Sequence, residues 1–277
     1  MDKQELITLI IKELRSIPSI SAIVLGGSYA SGTQRIDSDI DLGIYYLESN
    51  LLDIEAIKLT ANRLNDKPNP IVTKLGGWGK WVNGGAWLTV RGQRVDFLYR
   101  NLGFVEKIVD NCIVGKIESD YGQQPAFGFQ SFMYCAEVNI CKELYDPQNR
   151  IKIIKDKIKK YPRKLKIRII NGFLWDAEFT LHYAKKSISR NENYIVNGCI
   201  ARISNDLVQT VYALNESYFI GEKKFFKDIL VFTIQPKDFL IRLESLNEIQ
   251  KTLTEYEFII NEMKNLCGDL YTPKFTL

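Results

Sequence analysis

The sequence predicts an α/β fold in its first part and an all-helical fold in its second. Three observations carry this reading. Up to about residue 118, short apolar runs of strand length alternate with helical periodicity and are punctuated by Gly, Pro and Asn. Beyond about residue 120 come four long stretches with helical spacing: FQSFMYCAEVNICKELY, KIRIINGFLWDAEFTLHYAKKSI, NYIVNGCIARISNDLVQTVYAL and DFLIRLESLNEIQKTLTEYEFIINEMKNL. No internal repeat, low-complexity tract or flexible linker interrupts them, so mixed elements followed by helices divide the chain into 1–118 and 119–277.

The opening MDKQELITLIIKELRSI spaces Leu6, Ile7, Ile10, Ile11 and Leu14 as an amphipathic helix rather than a signal peptide. SAIVLGG follows as a short buried strand ending in a Gly turn. YASG opens a helix, TQRIDS is a loop, and DIDLGIYY is the next strand. LLDIEAIKLTANRLN, residues 51–65, has helical spacing and stops before Pro68. IVTKL, WVNGGAWLTV and QRVDFLYR read as strands of a meander. The second contains the hairpin signal Asn83-Gly84, and the turn Arg91-Gly92 precedes the third. The last long helix stops at Gly268, where a C-terminal cap belongs.

Composition excludes several function classes. The 277 residues are 45% hydrophobic with a formal charge of +4, which neither demands nor excludes a nucleic-acid partner. Five cysteines, at 112, 135, 141, 199 and 267, contain no C-x-x-C pair; this argues against a disulfide framework or zinc knuckle and for a reducing, cytoplasmic setting. No apolar run reaches the length of a membrane span. His182 is the sole histidine, so a His-rich metal site is impossible and a Ser-His-Asp hydrolase would have to use that one residue. Carboxylate chemistry remains.

The stretch GGSYASGTQRIDSDIDLGIYY places Asp37, Asp39 and Asp41 at the entrance to an apolar run. On a strand these alternate residues share one side, and like charges so close repel unless cations neutralise them. Asp96 lies in a later apolar strand, RVDFL. If its strand neighbours that of Asp39 and Asp41, three carboxylates converge. Such hard oxygen ligands suit Mg²⁺ carrying a nucleoside triphosphate, and two ions about 3.5–4 Å apart would clamp an in-line displacement at phosphorus. Gly26 and Gly27 permit close backbone approach to a phosphate, and Ser28 can donate its hydroxyl there. Asp37 reads as a loop residue, with a direct metal role as the alternative.

Gly27-Ser28, a ten-residue gap, Asp39-Ile40-Asp41-Leu42 and the later Val95-Asp96-Phe97-Leu98 resemble the signature of the DNA polymerase beta type nucleotidyltransferase superfamily, as found in antibiotic and minimal nucleotidyltransferases. The resemblance spans about residues 20–100. It implies that Asp39 and Asp41 bind both metal ions, that Asp96 completes the first metal site, and that Gly27-Ser28 hold the β- and γ-phosphates. It also implies a mixed sheet flanked by helices and followed by a helical bundle. The activity implied is Mg²⁺-dependent transfer of an NMP group, with ATP the expected donor, to a hydroxyl of an aminoglycoside-like antibiotic or related metabolite, with release of pyrophosphate.

Other segments carry two readings each. GGWGKWVNGGAW brings Trp78, Trp81 and Trp87 between paired glycines, either as a sugar or nucleobase platform or, the favoured reading, as a hairpin packed on the core. Glu178, His182 and Lys185 share one helical face, where Lys185 or Lys186 could neutralise triphosphate and Glu178 could act as general base; an exposed ion-pair face is the alternative. Glu137, among apolar neighbours, is ranked ahead of Glu178 as base. RIKIIKDKIKKYPRKLKIR, residues 150–168, is either an amphipathic surface element or an RNA-tracking patch. That run motivates a competing function, nucleotidylation of tRNA or protein as in toxin-like minimal nucleotidyltransferases, with nucleic acid the less favoured partner. A third possibility is a catalytically silent nucleotide-binding protein. Oligomeric state has no signal in the sequence.

Overall fold

Leu6, Ile7, Ile10 and Leu14 form the buried stripe of α1 (Lys3–Leu14), the first element of a computed structural model that describes residues 3–123, 127–245 and 248–274. There follow β1 (Ala22–Leu25), α2 (Gly27–Ser31), β2 (Ile40–Tyr46), α3 (Ile54–Leu64), β3 (Ile71–Val72), α4 (Gly79–Val82), β4 (Gly85–Val90), β5 (Gln93–Asn101) and α5 (Leu102–Ile113). Next come the short strands β6 (Ser119–Asp120) and β7 (Phe129–Gln130), then α6 (Met133–Ile140), β8 (Lys142–Tyr145) and α7 (Arg150–Ile158). α8 (Arg163–Ile169) runs through a π-helical turn at Ile170–Leu174 into α9 (Trp175–Ile188). α10 (Asn193–Leu214), α11 (Glu222–Ile229), α12 (Phe239–Glu244) and α13 (Ile249–Cys267) follow, and a 3-10 turn at Gly268–Leu270 comes after α13.

These elements form two units, Met1–Asp110 with Tyr134–Lys160, and Asn111–Met133 with Tyr161–Leu277. The division differs from the single cut expected at residue 118 because the chain returns to the first unit. Lys142–Tyr145, expected as the end of a long helix, is instead strand β8, which hydrogen-bonds to β1 and covers an otherwise unpaired sheet edge.

The first unit is built on a six-stranded sheet of order β3-β4-β5-β2-β1-β8. β2 and β5 run parallel and the other pairs antiparallel, so the sheet is mixed, as expected. Strand alternation sends Ile40, Leu42 and Ile44 of β2 and Val95, Phe97 and Tyr99 of β5 to one face. There they bury against Ile10 and Leu14 of α1 and Ile57 and Ala61 of α3. Asp41, Gly43 and Tyr45 of β2 and Asp96, Leu98 and Arg100 of β5 take the opposite face. That face is covered at one end, where Tyr45 and Arg100 are buried, and only half-buried at the end carrying Asp41 and Asp96.

The segment Trp81-Val82-Asn83-Gly84 does not form the expected hairpin. Residues 79–82 make the helical turn α4, and Asn83 ends it at positive φ before β4 begins at Gly85. Trp81 is 2% exposed and packs against Phe104, and its backbone carbonyl accepts a hydrogen bond from the Tyr134 hydroxyl. The local turn signal was real. Burial of Trp81 decided which turn formed.

In the second unit, α9, α10 and α13 pack pairwise. Leu181 and Ala184 of α9, Ile203 and Val211 of α10, and Tyr256 and Ile260 of α13 are among its buried residues. Gly268 caps α13 at positive φ, as its position in the sequence predicts. All five cysteines are buried free thiols, and burial pushes Cys141 up to about 12, so it is inert near neutrality.

Among the described residues, Asp206 is the buried acid of this unit. Burial raises its pKa well above the ordinary 3.8, Asp176 adds to the effect, and Arg202 and Asn205 oppose it; Tyr121 lies within the same electrostatic cluster. Because the folded-state value exceeds the unfolded one, the stability carried by the neutral acid is complete below about 3.8 and is lost as pH rises through the folded value. Asp206→Asn should therefore be progressively more stable than the wild type as pH rises from 4 to 8. Thermal unfolding across that range checks this; a constant difference between the two proteins would contradict it.

Candidate functional site

The parallel register pairs Asp41 with Asp96, so the two carboxylates project from adjacent strands on the same face. The strands are about 4.8 Å apart. Asp39 immediately precedes β2 and lies two residues before Asp41, which brings three acids to one end of the sheet. Asp37 lies in an exposed turn outside the strand, in keeping with its reading as a loop residue.

Arg94, two residues before Asp96 on β5, answers part of the charge problem. Its Nε lies 2.5 Å from Asp39 Oδ1, and its Nη2 donates to the Asp37 carbonyl at 3.0 Å. The sequence reading missed Arg94, although alternation along RVD places it on the face of Asp96. The ion pair is close without hydrogen-bond alignment, so Asp39 Oδ1 is shielded from solvent yet makes no hydrogen bond. Among the described residues no three acidic, histidine or cysteine side chains converge into a preformed metal cage. The fit to Mg²⁺ rests on the all-oxygen donor set of Asp39, Asp41 and Asp96, which phosphate oxygens and water commonly complete.

The turn from β1 into α2 is moulded onto Asp41. Gly26 N–H donates to the Asp41 carbonyl at 2.8 Å. Gly27 has φ +56°, and a Cβ there would stand 1.8 Å from Asp41 Oδ2. Both the backbone conformation and the space require glycine. Ser28 follows in α2, half-exposed. Gly27→Ala should push the Asp41 carboxylate aside without changing its chemistry and cut turnover about a hundredfold, the scale of misplacing a reacting group by about 1 Å. Activity within threefold of wild type would show that Asp41 need not sit where it does.

The other candidates are engaged elsewhere. Glu137 accepts from Arg100 through both oxygens, at 2.7 and 3.0 Å. Arg100 Nη1 also donates to the Val82 and Tyr99 carbonyls. Burial acts to lower the Arg100 pKa, but the Glu137 charge outweighs it and the guanidinium stays firmly charged. The apolar neighbours that suggested Glu137 as a base thus surround an ion pair, on the same face as Asp96 but four residues further along β5. In the second unit, Glu178 is paired with Lys264 and accepts from the Tyr271 hydroxyl at 2.8 Å. Lys185 pairs with Glu257 at 2.7 Å, and His182 and Lys186 are exposed.

The basic run 150–168 divides between α7 and α8. α7 buries Ile151, Ile154 and Ile158, and its cations meet acids: Arg150 with Glu106, Lys155 with Glu143 and Lys157 with Asp110. On α8, Lys166 pairs with Glu216. This is the pattern of an amphipathic surface element.

Residues 7–188 match the family described as Nucleotidyltransferase domain. The chain belongs to that family. As a nucleotidyltransferase of the polymerase beta-like superfamily it is an enzyme that transfers nucleotidyl groups, and its mixed sheet followed by a mainly helical region agrees with the assignment. The solved structure of a nucleotidyltransferase-like protein from Exiguobacterium sibiricum 255-15 is similar over 96% of this chain and 74% of its own, at 8% identity and a TM-score of 0.48. Comparison with curated proteins finds no match. Among the described residues of this nucleotidyltransferase, no helix is long and apolar enough to cross a membrane.

Proposed function

We propose that this nucleotidyltransferase moves an NMP group from a magnesium-bound NTP, with ATP the expected donor, to a hydroxyl of a small molecule such as an aminoglycoside-like antibiotic or related metabolite. Pyrophosphate is the second product. The observation that carries the reading is the Asp41–Asp96 register pair, with Asp39 two residues from Asp41 and Gly27 packed on the Asp41 carboxylate. When bound, magnesium would neutralise charge on the triphosphate and polarise its oxygens.

The chain's own residues then have separate tasks. Asp39 and Asp41 hold the donor complex, for which Arg94 must release Asp39. Gly26 and Gly27 let the backbone approach the phosphates, and the Ser28 hydroxyl donates to them. Asp96, on the strand beyond Asp41, receives the proton of the acceptor hydroxyl as its oxygen attacks the α-phosphorus and the bond to the β-phosphate oxygen breaks. Asp96 takes this role because it lies directly beside Asp41 on the neighbouring strand, one strand spacing from the carboxylates that hold the donor.

The test is product analysis with each of the four NTPs, labelled at the α-phosphate, against aminoglycosides, lincosamides, bulk tRNA and no acceptor. A labelled small molecule and one pyrophosphate per transfer are expected. Label found only in tRNA or in the protein itself would replace the small-molecule reading.

A further inference from the structure

The row of the sheet that carries the aspartates continues outward into an aromatic surface. β4 pairs antiparallel with β5 so that Trp87 lies directly opposite Asp96, which in turn lies beside Asp41. Opposed residues of an antiparallel pair share a face, with Cβ atoms about 5 Å apart. Trp87 is 49% exposed and stacks on half-exposed Trp78, their ring centroids 4.8 Å apart and their planes inclined by 26°. Trp78 lies over Gly85, where a Cβ would stand 1.9 Å from the Phe97 carbonyl oxygen and 2.7 Å from the indole. Glycine at this position leaves room for that carbonyl and for the second ring.

Neither ring is needed as the buried aromatic of this segment, because Trp81 fills that role. Two large indoles stacked together and half in water, one strand from the candidate carboxylates, make a ring-binding surface. We propose that Trp87, backed by Trp78, seats the acceptor by stacking on a saturated sugar or cyclitol ring, one of whose hydroxyls then reaches Asp96. This inference rests on the nucleotidyl-transfer reading above and adds to it the acceptor's seat.

Two features favour a sugar ring over the base of a nucleic-acid strand. A hydroxyl borne directly on the stacked ring spans the single strand spacing to Asp96, whereas a base carries its hydroxyls on an attached ribose. The neighbouring surface also carries Asp39, Asp41 and Asp96, with Arg94 held between Asp39 and the Asp37 carbonyl until the donor arrives, so a nucleic-acid strand binding ahead of the donor meets a surface rich in carboxylates. A polyhydroxylated ring bearing ammonium groups has the complementary charge.

The experiment uses the full chain and its Trp87→Ala and Trp87→Phe variants, titrated calorimetrically with kanamycin, lincomycin, maltotriose and a ten-residue oligoadenylate. At least one saccharide should bind the wild type about tenfold more tightly than Trp87→Ala, the scale of losing one stacking partner, while Trp87→Phe retains most of the affinity. Binding of Mg-ATP should be the same in all three proteins, which separates loss of the platform from loss of the fold. Saccharide binding indifferent to Trp87, binding of the oligoadenylate alone, or no binding by any probe would each overturn the proposal. The two readings fail separately. Trp87-dependent saccharide binding without NMP transfer would sink the reaction and leave the platform. Asp41-dependent transfer to an acceptor whose KM ignores Trp87→Ala would do the reverse.

Discussion

Asp41→Asn is expected to reduce NMP transfer by at least about a thousandfold while leaving thermal unfolding within a few degrees of wild type. Asparagine keeps the shape that Gly27 packs against, so the turn from β1 into α2 has no steric reason to move. The carboxylate charge is what disappears. Charge stabilisation at a phosphoryl-transfer site is worth several kcal/mol, and each 1.36 kcal/mol is tenfold in rate, which sets the thousandfold scale. The unfolding measurement matters because removing one of three neighbouring acids relieves repulsion. A variant that is stable and inactive locates the effect in chemistry. Retention of more than a tenth of the activity would show that Asp41 is not part of the site.

Glu137→Gln should act in the opposite way, on stability rather than turnover. Arg100 is 6% exposed and relies on Glu137 for its charge partner, with the Val82 and Tyr99 carbonyls supplying further acceptors. Removing one member of a buried pair leaves the other charge uncompensated, at a cost of about 3–5 kcal/mol. Glu137 is partly exposed, which favours the lower end, and for a chain of this size that corresponds to a melting temperature lower by about 10 °C. Turnover per folded molecule, measured below the transition, should stay within about threefold. Were Glu137 the general base, turnover would fall by about a hundredfold or more at temperatures where the variant is still folded.

The contrast between these two acids shows what was legible in the sequence. Asp41 and Asp96 sit in short apolar runs whose period of two fixes the face each side chain takes, so their meeting depended only on β2 and β5 being neighbours. Gly27 was legible as a permissive residue, but its contact with Asp41 was not, because the residues are fourteen positions apart and meet only through the β1–β2 pairing. The Glu137–Arg100 pair was not legible, because apolar neighbours in the chain say nothing about a cation arriving from another strand. Arg100 comes from β5, 37 residues away.

The same limit explains the fold errors. Lys142–Tyr145 has no strong strand signal of its own and is held in the sheet by the open edge of β1. The three tryptophans looked alike in GGWGKWVNGGAW, yet tertiary packing buries Trp81 and leaves Trp78 and Trp87 stacked at the surface. By contrast α10 follows its sequence periodicity from Asn193 to Leu214, since a long amphipathic stretch carries its own evidence. Local pattern was sufficient where an element stands by itself and insufficient where a partner distant in sequence decides.

The most direct test of the carboxylate site is uptake of Mn²⁺, in place of Mg²⁺, followed by electron paramagnetic resonance with and without a non-hydrolysable ATP analogue. The predicted result is nucleotide-dependent binding of two ions per chain, lost in the Asp39→Asn, Asp41→Asn double variant. Uptake that persists in the double variant, or nucleotide binding that ignores the metal, would contradict the assignment of these aspartates to the donor.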